Sequence, residues 1–155
     1  MRRKDRKITD KFKIKEFLSK QQIIRIAFYD NDIYIVPVNY GYYCKEEQDI
    51  FYFHGAKEGR KFELSKENPK VGFEIDGNYS LLKNEIACKF SVTFQSVVGT
   101  GKISIIEEKE EKVFALNTIM KQVTQQEEWS YSDNMLDNVA IFKLEVEKMS
   151  CKARN

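Results

Sequence analysis

The only imidazole in 155 residues, His54, stands in "FYFHGAKEGRK", residues 51 to 61, just ahead of Gly55, Gly59, Arg60 and Lys61. Glycines permit a tight turn, and a helix starting near residue 57 presents free N–H groups to an anion. Arg60 and Lys61 add charge-assisted donors, arginine as a planar fork suited to phosphate. The combination describes a phosphate cradle. The competing reading is an ordinary strand-to-helix connection with a solvated basic pair. A lone histidine at a strand end is more often structural than catalytic, and metal binding needs companions that the sequence does not supply, so no metal site is expected.

Two further stretches can do chemistry. In "VPVNYGYY", residues 36 to 43, Asn39 brings an amide donor and acceptor into an aromatic segment, which suits the edge of a planar heterocycle. A plain β-bulge is the alternative. In "SVVGTGK", residues 96 to 102, Ser96 and the glycines can approach a phosphate or ring, but the spacing is neither a dinucleotide fingerprint nor a P-loop. By itself it reads as a barrel bend. No nucleophile elbow accompanies Ser96 and His54, which argues against a hydrolytic triad. Trp129, in the polar "EEWSYSDN", is read either as a cover over a ligand or partner or as a packing anchor.

These residues need elements to hold them. The aromatic share, 13% with Phe 11 and Tyr 8, favours strands over a helical bundle. "TDKFKIKEFLSKQQ" predicts a first helix capped by Thr9 or Asp10. Residues 23–29 and 33–43, parted by "DND", predict a hairpin in which Pro37 belongs at an edge, bulge or break. After the loop "CKEEQD" come a third strand, "IFYFH", a short surface helix over 57–67 and a fourth strand, "VGFEID". "GNYSLLKNE" reads as a loop, and "CKFSVTFQSVVGTGKISII" as one bent strand or two meeting near Gly99 and Gly101. "EEKEEKVFALNTIMKQV" predicts an amphipathic helix and "VAIFKLEVEKM" the last strand. The expected fold is mainly β: about six antiparallel strands in a closed or nearly closed barrel, with two to three helices, as one domain over 1–155.

Composition narrows the function classes. With 26 basic and 24 acidic residues well mixed, a net charge of +2 argues against a nucleic-acid reader. The basic head "MRRKDRK" lacks a following apolar stretch, and no run nears the roughly 20 apolar residues of a spanning helix. A cytoplasmic protein without membrane contact is expected. Cys44, Cys88 and Cys151 form no paired motif and are expected reduced, with Cys88 buried.

Taken in order, "MRRKDR", "PVNYGYY", "FHGAKEGRK", "NPKVGFEID", "SVVGTGKI" and "ALNTIM" resemble blocks of the pyridoxamine-phosphate-oxidase-like flavoproteins, specifically the nitroimidazole-resistance branch of the FMN-binding split barrels. The likeness covers nearly the whole chain. It implies a six-stranded antiparallel split barrel that forms a homodimer and binds FMN in clefts at the subunit interface. On that resemblance His54, Gly55 and Ala56, with Arg60 and Lys61, face the FMN phosphate. Val38 and Asn39 lie along the isoalloxazine, and Ser96, Val97, Val98 and Gly99 complete the pocket. Tyr40, Phe53 and Gly59 belong to the same cofactor set, and His54 is the candidate catalytic group. On the same resemblance, reduced flavin would pass electrons from a nicotinamide donor to a small-molecule acceptor, in this branch a nitro group. The alternatives are a non-catalytic flavin or heme carrier and an oxidase of pyridoxamine phosphate. Relatives often place a histidine after the "IM" pair, where this chain has "IMKQVT", and "MSCKAR" is a loose match.

Overall fold

A computed structural model describes residues 3–154; Met1 and Arg2 of the basic head, and Asn155, lie outside the described residues. A 3-10 turn at Lys4–Arg6 leads into the two-residue strand β1 (Lys7–Ile8). Helix α1 (Lys11–Lys20) starts where the sequence predicts, because the Asp10 carboxylate accepts from the N–H groups of Phe12 at 3.0 Å and Lys13 at 3.3 Å. The hairpin β2 (Ile23–Tyr29) and β3 (Ile33–Asn39) turns through Asn31, whose φ of 55° is one that asparagine tolerates.

The chain breaks at Tyr40 and resumes as β4 (Gly41–Lys45), which pairs with β5 (Gln48–Gly55) around Glu46 and Glu47. Positive φ at both glutamates marks a two-residue hairpin, so "CKEEQD" is mostly strand rather than loop. Helix α2 (Arg60–Glu67) and β6 (Lys70–Leu82) follow, then β7 (Ser91–Ile106), α3 (Lys109–Thr124), α4 (Asp133–Asn138) and β8 (Ala140–Arg154).

All strand pairs are antiparallel, in the order β3-β2-β6-β7-β8-β5-β4, with β1 added to β8. β3 and β4 are the sheet edges, so Pro37 costs no ladder bond on its outer side. The sheet curls until β3 meets β5, and this closure encloses a core that includes Phe28, Phe51, Phe53, Phe73 and Phe142. A smaller cluster, with Tyr52, Ile106, Ala115 and Ile119, lies between β5 and α3.

Three further expectations are corrected. Eight strands rather than six are present among the described residues, because the second strand splits at Tyr40 and β1 is added to β8. "GNYSLLKNE" is not all loop: Gly77–Leu82 continue β6 against β7 as a hairpin arm whose Tyr79, Leu81 and Leu82 face solvent. An exposed arm buries no apolar side that would betray it, and its cross-strand partners lie 9 to 18 positions away. Cys88 is exposed near the end of that arm, since β7 begins only at Ser91; Cys151 is the buried cysteine. Helix α4 begins at the end of the polar "EEWSYSDN", started by the Ser132 hydroxyl accepting from the Met135 N–H.

"SVVGTGK" is part of one long strand, with a register shift between Thr100 and Gly101 opposite β8 that bends it, as its glycines predict. The described residues contain no helix long and apolar enough to cross a membrane.

Candidate functional site

The turn after β5 begins α2 three residues later than the spacing predicts, at Arg60. Gly59 is its N-cap with φ of +89°, a conformation that side-chain-bearing residues rarely adopt, and it supplies no side-chain cap. Its carbonyl accepts from Phe62 and Glu63, so the N–H groups of Arg60 and Lys61 sit in the first turn, where a helix has no carbonyl of its own to offer.

Lys61 folds back toward β5. Its Nζ donates to the His54 carbonyl at 3.3 Å and lies 5.0 Å from the Phe142 ring centre and 5.7 Å from that of Phe53. A Cβ on Gly55 would come within 2.5 Å of this nitrogen, so the glycine keeps the space open. Arg60 lays its guanidinium over Tyr34 of β3 at 4.9 Å. No carboxylate pairs with Arg60 or Lys61 among the described residues. Burial pushes the Lys61 ammonium below its ordinary pKa. A half-buried, unpaired cation beside free N–H groups is a donor set for a dianion.

His54 keeps solvent access, yet crowding around the ring, followed by the Lys61 charge, lowers its pKa below 6.5. As pH falls below about 6.5 the unfolded chain takes up this proton before the folded one does, so the folded state loses stability toward acid. The expected result is a melting midpoint that declines on acidification, with the His54→Gln variant flatter over that interval. As the only histidine, His54 also gives a single ring resonance, and its NMR titration midpoint should lie below 6.5 and rise in Lys61→Met. A midpoint at or above 6.5 contradicts the placement.

The other sequence-predicted residues form separate groups. Val38 is half-buried against the core, and Asn39 is exposed, donating from Nδ2 to the Gln22 carbonyl at 3.1 Å. Tyr40 points inward, wholly buried, with its hydroxyl donating to the Leu18 carbonyl at 2.6 Å. Phe53 is also inside, stacked on Phe142. On β7, Val97 is a core residue, Val98 is half exposed, and the Ser96 Oγ is buried with no hydrogen-bond partner among the described residues. A buried hydroxyl in that state has unspent donor and acceptor capacity.

Sheet register shows what one chain brings together. Pro37, Arg25, Glu74 and Val98 lie in one cross-strand row, which puts the Val38–Asn39 and Ser96–Val98 segments at one level of the sheet. The row through Ile106, Ile141 and His54 lies eight to ten residues further along β7, roughly 30 Å by strand rise. A single chain therefore gathers Phe53 to Lys61 into one site and leaves Ser96 to Gly99 well apart from it. Trp129 is not over this site; its indole bonds within its own loop, to the Gln126 carbonyl at 3.4 Å.

The residues that sequence reasoning missed are Tyr34, which receives Arg60, and Gln122 of α3, which ties three elements together. Neither carries a sequence motif, because each acts through partners distant in the chain.

Comparison with known proteins agrees with this architecture. Residues 10–153 match the family model described as pyridoxamine 5'-phosphate oxidase. A solved structure of a candidate 5-nitroimidazole antibiotic resistance protein from Bacteroides thetaiotaomicron is 30% identical, with TM-score 0.82, covering 95% of this chain and 86% of that one. A flavocytochrome from Azotobacter vinelandii, 19% identical, superposes with TM-score 0.81 over 100% of this chain and 72% of its own. An FAD- and heme-binding protein from Mycobacterium smegmatis, 11% identical, does so with TM-score 0.79 over 97% and 74%. At those lower identities the likeness is one of fold. No curated protein matches by sequence. With the family model spanning nearly all of the curled antiparallel sheet, the chain belongs to the pyridoxamine 5'-phosphate oxidase family of split-barrel proteins.

Proposed function

We propose that this protein is an FMN-dependent reductase of nitroimidazole- or nitroaromatic-type acceptors. The observation that carries the cofactor assignment is Lys61: an ammonium packed over two aromatic rings, without a carboxylate partner among the described residues, at the first turn of α2. In the assigned arrangement the N–H groups of Arg60 and Lys61 and their two side chains hold the phosphate, and Gly55 and Gly59 give it close approach. Asn39 offers its amide to the ring edge. The unspent Ser96 hydroxyl supports a second contribution to the pocket. Its distance from Lys61 along β7 is best accommodated if a second copy of the chain brings Ser96 to Gly99 to the first copy's α2 turn. When bound, the flavin supplies two-electron transfer between a nicotinamide donor and the acceptor. His54, whose pKa its surroundings lower, is the group assigned to hold or yield a proton at the acceptor.

The test is the visible spectrum of the purified protein, repeated after adding a reduced nicotinamide and then a nitroaromatic. Flavin absorption that bleaches with the donor and returns with the acceptor is expected. A protein that stays colourless after incubation with FMN overturns the cofactor assignment. Bound flavin or heme that no donor reduces would instead favour a carrier, and oxygen uptake with pyridoxamine phosphate an oxidase.

A further inference from the structure

At the opposite end of β7 from the α2 turn, the Phe94 ring has two cations against it: Arg6 at 5.9 Å from its centre and the Lys152 Nζ at 5.6 Å. Arg154 is the cross-strand partner of Phe94, and Lys7 that of Lys152. A concavity of about 380 Å³ opens here, walled by Arg3, Asp5, Arg6, Ile8, Ala153 and Arg154. The Asp5 carboxylate is already engaged by Arg3 at 2.6 Å, and no carboxylate pairs with Arg6, Lys7, Lys152 or Arg154 among the described residues. One ring satisfies one cation. With Asp5 already taken by Arg3, the like charges of Arg6, Lys7, Lys152 and Arg154 at this corner repel one another, and an anion entering it relieves that repulsion.

We propose that this corner is a second anion site, for the phosphoryl group of a nucleotide. Guanidinium forks at Arg6 and Arg154 match phosphoryl oxygens bidentately and Lys152 adds a point charge. The volume exceeds what an inorganic ion fills, and the partly exposed Phe94 ring with the Arg6 guanidinium beside it offers a stacking surface for a base. Lys152 is also the cross-strand partner of Ser96, so the corner adjoins the segment assigned to the flavin pocket. Its role there, holding the phosphoryl end of the nicotinamide donor, rests on the flavin reading; the binding itself does not.

The experiment is calorimetric titration of the full-length protein with 2',5'-ADP, ADP and inorganic phosphate, alongside the Arg6→Gln/Lys152→Gln double variant, Arg154→Gln, Arg60→Gln at the α2 turn, and Lys45→Gln as a surface control. Melting curves establish that each variant is folded. Binding of at least one adenosine phosphate, tighter than phosphate alone, is expected, with the double variant and Arg154→Gln each weakening it about tenfold and Lys45→Gln leaving it unchanged. Preference for 2',5'-ADP marks a phosphorylated nicotinamide donor, and preference for ADP a pyrophosphate. The KM for that donor should rise in the double variant while flavin content stays constant. Absence of nucleotide binding by the native protein overturns the proposal, as does affinity no better than that of phosphate. Binding lost with Arg60→Gln but retained in the double variant, or flavin lost in the double variant, assigns the corner's cations elsewhere and also overturns it. A colourless protein that still binds nucleotide through Arg6 and Lys152 fails the flavin reading alone.

Discussion

Replacing Arg60 and Lys61 together, as Arg60→Ala/Lys61→Met, is expected to weaken FMN binding by several kcal/mol at most, the sum of two charged hydrogen bonds at about 1.5–3 kcal/mol each. That is a loss of two to four decades in affinity, read by flavin fluorescence on dilution. The structure adds a second expectation with the opposite sign. Lys61 holds its charge half-buried over Phe53 and Phe142, and that environment lowers its pKa. The flavin-free chain is therefore destabilised by the charge, most at pH values below the lowered pKa. The penalty fades as pH rises toward the unfolded value of about 10.4. Methionine keeps the unbranched stem and removes the charge. Lys61→Met without flavin should melt at or above the native protein, while the flavin-loaded comparison reverses. Unchanged flavin affinity in the double variant would place the phosphate away from α2.

Gln122→Leu is expected to cost about 2–3 kcal/mol of stability, measured by denaturant unfolding, for two part-buried backbone groups left without their partner. Its amide nitrogen donates to the Leu18 carbonyl at 2.9 Å and to that of Gln21, while its oxygen accepts from the Tyr42 N–H at 2.7 Å. It closes carbonyls at the end of α1 and covers an edge group of β4 in one step. α3 rests directly on β4, where a Cβ on Gly41 would lie 2.5 Å from the Ile119 nitrogen. Tyr40→Phe removes one bond to the same Leu18 carbonyl, which Gln122 still satisfies, and should cost about 1 kcal/mol. The double variant strips that carbonyl of both side-chain donors and should lose more than the two single effects combined. Strict additivity would show that the two side chains do not share it.

Much of this architecture is local in origin and so can be read from the chain. Asp10 caps α1 by reaching residues two and three ahead, and the β2–β3 hairpin turns within three residues. α3 spans 109–124 because its apolar positions recur at helical spacing. The α2 turn was legible for the same reason: glycines, a helix start and a basic pair fall within a few residues. Its start lies three residues later because Gly59, at positive φ, breaks the chain before the helix can begin. Cys88 and the Gly77–Leu82 strand were not legible. Burial of one and pairing of the other depend on where β7 begins, and polar alternation on an exposed arm carries no core signal.

By itself, the sequence determined the mainly β class, the positions of the first and third helices, and the phosphate-compatible chemistry at His54 to Lys61, since each follows from residues near one another in the chain. Only the tertiary structure decided that Lys61 turns back over Phe142, that Tyr40 and Phe53 spend their side chains on the core, and that Ser96 lies far along β7 with its hydroxyl unspent. Those outcomes depend on register and sheet curl, which bring together residues 22 to 89 apart in the chain, and a one-residue slip in pairing would turn every such side chain to the other face.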